Sequence, residues 1–358
     1  MFDHKHYVPI LRWKRAEWVA LRDLAGDVRS HITPLVELTP RSFEARNNRP
    51  APDPADVLAG DAIGLQQHWG TASFFVDMWH LTNPALRVGN VIHPLEFLAE
   101  QARSRGLALT AVTGLHRPPS YQAAVASVVA EDSRGACIRI HPQEIQAPDF
   151  PAQLIELLNT LGLEVSEADC LLDYQVWRQG TPSIAVLCSA IPQIACWRSF
   201  AVASGAFPRD LTGFTIGQHT LPRFDWMSWR SQITSGPIPM RLPAFADYTI
   251  QHAQFAEPPE RANFSASIRY TSDAHWVIMR GESVFQDNGP GFDQWPANAQ
   301  LLCGRNEYCG PNFSVGDEYI SQMASQTLRT GNAETWLRAG INHHITFAAR
   351  QVASLAWI

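Results

Sequence analysis

The feature that most constrains the fold of this chain is a regular alternation of apolar runs and amphipathic segments along its first 256 residues. Runs such as HYVPILRWK and SFFVDMWHL are rich in β-branched and aromatic residues, as buried strands are. The first run is followed by apolar residues at helical spacing, namely Trp18, Leu21, Leu24 and Val28. Eight strands are counted in this way, and a helical segment separates most of them.

Alternating strands and helices indicate a parallel sheet, and eight such units favour a closed barrel over an open doubly wound sheet. An open Rossmann-like sheet is the alternative, but no GxGxxG motif follows the first strand. We therefore predict an α/β fold, a (β/α)8 TIM-like barrel over residues 1–256.

Residues 257–358 depart from this alternation. The stretch ASIRYTSDAHWVIMRGES predicts two strands around a turn at Ser272 and Asp273, and two helical segments follow it. We expect an appended hairpin and closing helices that pack on the barrel.

Composition limits the classes of function. The formal charge is -6, so the chain as a whole lacks the basic character of a nucleic-acid coating protein, although a local basic patch stays open. No apolar run reaches the length of a membrane span, and the start MFDHKHYVPI lacks the apolar core of a signal peptide. We expect a cytoplasmic protein with no membrane partner.

Polar side chains follow almost every predicted strand. The βα loops at the C-terminal ends of barrel strands build the active site of such folds, so these residues are the first candidates for function. In chain order they are Lys14, Glu37, Asp77, Thr113 with Gly114, Arg139, Asp173, Ser204 with Gly205, and Asp247.

Two interpretations of this ring are open. The basic residues could neutralise carboxylates in a structural ion network that closes the barrel, because buried charges must be paired. Alternatively, the bases bind an anionic group and the acids act as general acid and base. On that interpretation the catalytic candidates are Glu37, Asp77, Asp173 and Asp247. The ligand-binding candidates are Lys14, Arg139, His141, Ser204 and Gly205.

The cofactor is not fixed by the sequence. The acids could hold a divalent cation, but the ring also carries two bases, and no HxH, HExxH or DxD motif is present, so we predict no metal ligands. Lys14 at the end of the first strand is placed like the Schiff-base lysine of pyridoxal-phosphate barrels of the alanine-racemase type. A convincing phosphate cup is missing, so that cofactor is disfavoured.

Other histidines and tryptophans are candidates of a second rank. His116 and His141 follow predicted strands and are placed for proton transfer. Adjacent histidines on a helix point about 100° apart, so His343 and His344 do not chelate one ion, and we expect one to be a buried core residue. Tryptophans near strand ends or the hairpin could stack on a ring, and these are Trp79, Trp177 and Trp276.

The stretches YVPILRWKRAEWVALRDL and ITPLVEL, with IRYTSDAHWVIMRG, FSVGDEYI and WLRAGINHHITFAARQ, resemble the beta protein family of bacteria and phages. The matching positions are Tyr7, Pro9, Lys14, Glu17, Pro34, Glu37, Arg280, Gly281, Gly316, Asp317, His343 and His344. The resemblance implies neither a reaction nor catalytic residues. It implies an association with mobile elements and anti-phage loci, and hence a role in defence.

Two functional hypotheses follow. The first is a barrel that binds an anionic, phosphate-bearing or nucleotide-like ligand at its C-terminal mouth and hydrolyses it. The second is a non-catalytic recognition subunit of a defence or mobile-element system, which holds a protein partner.

Overall fold

The computed structural model describes residues 2–40, 44, 50–81, 83, 85–237, 239–256, 264–285 and 289–355. The strands in these ranges are β1 Tyr7–Arg12, β2 Leu35–Glu37, β3 Phe74–Asp77, β4 Leu109–Thr113, β5 Ala136–Ile140, β6 Asp169–Val176, β7 Ser199–Gly205, β8 Gly217–Pro222, β9 Ala244–Asp247, β10 Ile268–Thr271 and β11 His275–Arg280. Strands β1 to β7 and β9 form a closed barrel in chain order, and β9 pairs in parallel with β1. The predicted (β/α)8 barrel is confirmed.

The helices alternate with these strands. They are α1 Arg15–Arg22, α2 Gly26–Arg29, α3 Pro54–His68, α4 Pro94–Arg103, α5 Pro119–Asp132, α6 Pro142–Ile145, α7 Phe150–Leu161, α8 Ile184–Ala190, α9 Phe224–Thr234, α10 Gln294–Cys303, α11 Val315–Ala324 and α12 Ala333–Ala353. Several begin at a proline, whose missing N–H is no loss in a first turn. Among the helices of the described ranges, none combines the length and the apolar content that crossing a bilayer requires.

Side chains of each barrel strand alternate between the barrel interior and the surrounding helices. One buried cluster fills the interior and includes Ile10, Leu35, Phe75 and Leu171. The neighbouring residues along the strands join a larger cluster that packs against the helices. This alternation decides which strand-end residues can meet at the barrel axis.

A small antiparallel sheet stands beside the barrel, with the strand order β10, β11, β8. Strands β10 and β11 are the two predicted strands, and Tyr270 pairs with Val277 across them. Strand β8 was not predicted, because GQHTLP is polar and shows no alternation of apolar residues; half of its residues are exposed and none is buried. It ties the region before residue 256 to the region after it. The predicted domain boundary at 257 lies outside the described residues and stays a prediction.

Helix α12 takes the place of the eighth barrel helix. It packs on α1 and contacts β1, and Asn342 Nδ2 donates a hydrogen bond to Ala20 O at 3.0 Å. The sheet of β8, β10 and β11 and the helices α10 and α11 are therefore additions to a barrel that α12 completes.

Both histidines of α12 are fully buried, where only one was expected to be. His344 Nε2 lies 2.9 Å from Asp247 Oδ2, and its Nδ1 lies 2.7 Å from Thr271 Oγ1. His343 Nδ1 lies 2.8 Å from Asp317 Oδ2. These contacts, called the α12 polar cluster below, join α12 to the barrel, to β10 and to α11.

Close packing of α11 on α12 requires glycine at position 316. A Cβ there would overlap with the Ala339 carbonyl oxygen, and Gly316 N donates to Asn342 Oδ1 at 2.9 Å. We expect Gly316→Ala to lower the free energy of unfolding by about 1–3 kcal/mol, because backbone atoms must move apart. Urea unfolding measures this change.

Gly60→Ala in α3 is the matched control. A Cβ at Gly60 has no neighbouring atom within 4 Å, so the same substitution should stabilise the protein by about 0.5–1 kcal/mol through helix propensity. Equal effects of the two substitutions would contradict the packing described for α11 and α12.

Candidate functional site

The C-terminal mouth of the barrel holds a buried guanidinium surrounded by acids. Arg139 Nη1 lies 2.8 Å from Glu37 Oε1 and 2.7 Å from Asp77 Oδ2. Its Nε donates to Asp173 Oδ2 at 2.9 Å. The residues Arg139, Glu37, Asp77 and Asp173 all point inward and are at most 4% exposed. Four of the predicted site residues are thus brought together.

Tyr248, directly after β9, completes this group. Its hydroxyl accepts from Arg139 Nη2 at 2.7 Å and donates to Asp173 Oδ2 at 2.6 Å. We call Arg139, Glu37, Asp77, Asp173 and Tyr248 the Arg139 network. Its three carboxylates all have an arginine partner, so the geometry is that of the ion network in the first interpretation above.

Two further basic side chains reach the outer carboxylate oxygen of Glu37. His80 Nε2 lies 3.0 Å from Glu37 Oε2, and Arg12 Nε lies 4.0 Å from the same oxygen. Burial alone would raise the pKa of Glu37, but Arg139, His80 and Arg12 outweigh burial and lower this pKa to about 2. Glu37 is therefore a stable carboxylate in this conformation.

A loop at residues 248–256, the closing loop, lies over part of the mouth. Arg12 Nη2 donates to the carbonyl oxygens of His252 and Ala253 at 2.6 and 2.9 Å. The ring of Phe255 packs on His80, with 4.7 Å between the ring centroids. Lys14 Nζ lies 5.0 Å from the centroid of the same ring. Lys14 therefore lies at the rim of the mouth, and its side chain contacts the closing loop.

Two predicted site residues lie on the opposite face of the barrel wall. Asp247 accepts from Tyr7 Oη at 2.6 Å and contacts His344, so it belongs to the α12 polar cluster. Ser204 of β7 pairs in register with Asp247 of β9. Because the preceding Ala203 faces the barrel interior, Ser204 faces the helices. Both residues lie at the ends of their strands, as the sequence predicts, but the alternation of side chains along a strand turns these two toward the helices.

Gly205, in the region where many TIM barrels bind phosphate, has close neighbours on its side-chain side. A Cβ at Gly205 would lie 3.1 Å from Tyr248 Cδ2 and 3.2 Å from Ala253 Cβ. The chain leaves no room for a phosphate group directly against this glycine.

A pocket of about 370 Å³ opens beside the network instead, between the loops that follow β3 and β4. Its lining residues are Met78, Trp79, Leu81, Asn83, Leu86, Arg87, His93, Pro94, His116, Arg117, Pro118, Ser120 and Tyr121. This set holds two arginines and two histidines and no carboxylate. Helices α4 and α5 begin at the pocket, but prolines occupy their first positions and His93 Nδ1 already accepts from Leu95 N, so the helix starts offer few N–H donors.

Arg117 joins the pocket to the Arg139 network. Its Nη2 donates to both oxygens of Asp77, at 2.8 and 2.9 Å. Its guanidinium carbon lies 4.4 Å from the ring centroid of Trp79 and 5.6 Å from that of Tyr121. Within the described residues, the buried Nε of Arg117 has no hydrogen-bond partner, so this guanidinium has an N–H that a ligand could use.

His141 lies between the two parts of the site. Its Nδ1 is 2.9 Å from Asp173 O, and its ring meets the edge of Trp79 with 5.4 Å between the centroids. His116 lines the pocket and is 3.5 Å from Glu144 through its Nε2. The structure thus places both second-rank histidines near the pocket.

Sequence reasoning missed several residues of this face. Arg12, Tyr248 and His80 contribute to the network, and Arg87 and His93 contribute to the pocket. Alternation could have found Tyr248, because it lies two residues after the small interior Ala246. No local pattern indicates Arg87 or His93, which come from a long βα loop and a helix start.

Metal ligation finds no support in the side chains that the structure describes. No group of three or more His, Cys, Asp or Glu residues in those ranges could hold an ion. Arg139 occupies the centre of the acids, where a cation would otherwise bind.

The closed barrel and its charged C-terminal face define this chain as a (β/α)8-barrel protein with a pocket built by βα loops. The model of the Beta protein family matches residues 7–350, nearly the whole chain. The chain belongs to this family, which confirms the resemblance described above. No curated protein matches the sequence.

The Arg139 network should contribute strongly to stability. Removing the guanidinium takes the central cation away from three buried carboxylates, of which Asp77 keeps Arg117 and Glu37 keeps His80 and Arg12. Arg139→Met should therefore cost about 3–5 kcal/mol of unfolding free energy, or prevent folding. Tyr248→Phe keeps the ion pairs and removes two hydrogen bonds, and it should cost about 1–3 kcal/mol. Urea unfolding with circular dichroism measures both.

The control is Arg198→Met at the other end of the barrel, where Arg198 Nε donates to Asp169 at 3.0 Å. This pair is more exposed and should cost less than Arg139 does. A loss for Arg198→Met that equals the loss for Arg139→Met would show that the network is no special centre of stability.

Stability should also fall as pH rises toward 7.5, because of Glu17. Glu17 Oε1 accepts from Arg12 N and Gln251 Nε2 under the closing loop. Burial raises its pKa from 4.5 to about 7 despite these partners. A carboxyl with a raised pKa stabilises the fold fully below its unfolded pKa, and this contribution is lost as pH rises through 7.

Between pH 5 and 7.5 we therefore expect the Glu17→Gln variant to lose less stability than the unmodified protein. The difference should grow by about 1.4 kcal/mol for each pH unit up to the folded pKa of about 7. Asp225, with a pKa raised to about 7 mainly by burial, stays in both proteins and cancels in the comparison. Parallel pH curves for the two proteins would contradict this role of Glu17.

Proposed function

We propose that this protein binds a small anionic, phosphate-bearing ligand at the C-terminal face of its barrel, in the pocket between the loops after β3 and β4. The observation that carries the proposal is the lining of the pocket, which combines Arg87, Arg117, His93 and His116 with no carboxylate. The two arginines attract an anion and the histidines offer N–H donors, although burial lowers the pKa of His93 and the chain as a whole is acidic.

The Arg139 network supports this role without contacting the ligand. It binds one side of Asp77 through Arg139, and Asp77 in turn fixes Arg117. Holding an arginine in one position before the ligand arrives reduces the entropy lost on binding. The predicted binding residues Arg139 and His141 then act as positioning residues, and Arg117 becomes the main anion contact.

Hydrolysis of the ligand is the finer part of the proposal. His116 has a side chain that is 73% exposed and lies at the pocket near Glu144, so it is free to exchange protons with a bound molecule. The predicted catalytic acids Glu37, Asp77 and Asp173 are held by arginines. Hydrolysis therefore depends on the pocket histidines rather than on those acids. The proposal also includes a cytoplasmic location, which rests on the composition of the chain. It includes a role in defence, which rests on the family resemblance.

Calorimetry with inorganic phosphate, pyrophosphate and adenosine monophosphate tests the proposal. At least one of these anions should bind, and Arg117→Met should weaken its binding by at least about tenfold, because a charge-assisted hydrogen bond is lost. Arg198→Met, which removes an arginine of similar pairing at the other end of the barrel, should leave the affinity unchanged.

Absence of binding by all three anions, or equal affinities of Arg117→Met and the unmodified protein, would overturn the proposal. In that case the recognition-subunit hypothesis gains, and a stoichiometric protein partner recovered by pull-down would support it. Phosphate release from the bound ligand, measured in the same samples and in His116→Gln, tests the hydrolytic part.

A further inference from the structure

We infer that the ligand of this pocket is a mononucleotide, with its base against Trp79 and its phosphate at Arg117. This inference rests on the proposed function and names the substrate class of the same site. It is drawn from the division of the pocket wall into an aromatic and apolar part and a cationic part.

The aromatic part is built around Trp79, which is 38% exposed. Its backbone N–H donates to Asp77 Oδ1 at 2.8 Å, and its ring is fixed by Arg117 and by the edge of His141. The ring is therefore held in place, and because Arg117 and Arg139 lie over part of it, a base would pack on the part that stays exposed. A fixed and partly open tryptophan is a suitable surface for a flat ring.

The other two tryptophans considered for stacking are not available in this way. Trp276 is fully buried. Trp177 already stacks on Phe224, with 4.6 Å between the centroids and 15° between the planes. Of the three candidates, Trp79 alone lines the pocket.

The apolar residues of the pocket distinguish a nucleotide from a bare phosphate. Met78, Leu81 and Leu86 line it together with Trp79. A free phosphate gains nothing from such a wall, whereas a base buries apolar surface against it, which is favourable. The cationic residues lie on the same lining, so one molecule with a ring and an anion satisfies both parts.

Size and charge favour a single nucleotide over a polymer. A volume of about 370 Å³ lies near the small end of the range for ligand sites. A nucleic-acid strand also needs a basic track that leads away from the pocket, and a chain with a formal charge of -6 provides little basis for one.

The test compares adenosine monophosphate, uridine monophosphate, ribose 5-phosphate and a single-stranded oligonucleotide by calorimetry. Both mononucleotides should bind at least about tenfold more tightly than ribose 5-phosphate, which has the anion but no base. Trp79→Leu should remove this difference between the mononucleotides and ribose 5-phosphate, while Trp79→Phe should keep most of it. Trp177→Leu is the control and should change neither.

The outcomes separate this inference from the proposed function. Equal binding of ribose 5-phosphate and the mononucleotides overturns the inference and leaves anion binding standing. Tighter binding of the oligonucleotide than of either mononucleotide also overturns it, in favour of a polymer. Failure of phosphate, pyrophosphate and every phosphate ester to bind overturns the proposed function itself.

Discussion

The structure depends on one buried guanidinium. Arg139 rises from β5 into the barrel interior and binds carboxylates of β2, β3 and β6, while Tyr248 after β9 closes the circle. In a medium of low polarity, none of these charges is tolerable without the others. The network therefore fixes the relative positions of strands from both halves of the barrel, and it fills the axial space that many barrels leave to a substrate.

This filling moves the candidate site away from the barrel axis. Asp77 is shared between Arg139 on the axis and Arg117 in the pocket, so one carboxylate couples the rigid interior to a surface cavity. Arg117 then orders Trp79 through their stacked contact. The contacts run from the buried ion network to the wall of the pocket, and they explain how irregular loops after β3 and β4 can hold a defined shape.

The sequence predicts structure well where a local pattern of residues decides it. It predicts less where contacts between distant segments of the closed barrel decide it. The alternation of strands and helices sufficed for the barrel, and the strand-end rule located Glu37, Asp77, Arg139 and Asp173 at one mouth. Asp247 satisfied the same rule but faces the helices, because position along a strand does not fix the face. Whether the acids pair with Arg139 or meet a ligand depends on distances across the closed barrel, which no local pattern contains. The pocket arises from loops and helix starts, whose approach depends on that same closure.

The position of α12 has a consequence for the order in which the molecule forms. The seam between β1 and β9 is covered by a helix that follows an insertion of residues 248–332, and Asp247 meets His344 only when that helix arrives. Contacts between segments so distant in sequence form slowly, because the loop between them must be closed first. We therefore expect the docking of α12 on this seam to be among the last contacts to form. In the folded molecule the small sheet and α11 hold α12 against the seam, so the added elements also secure the closure of the barrel.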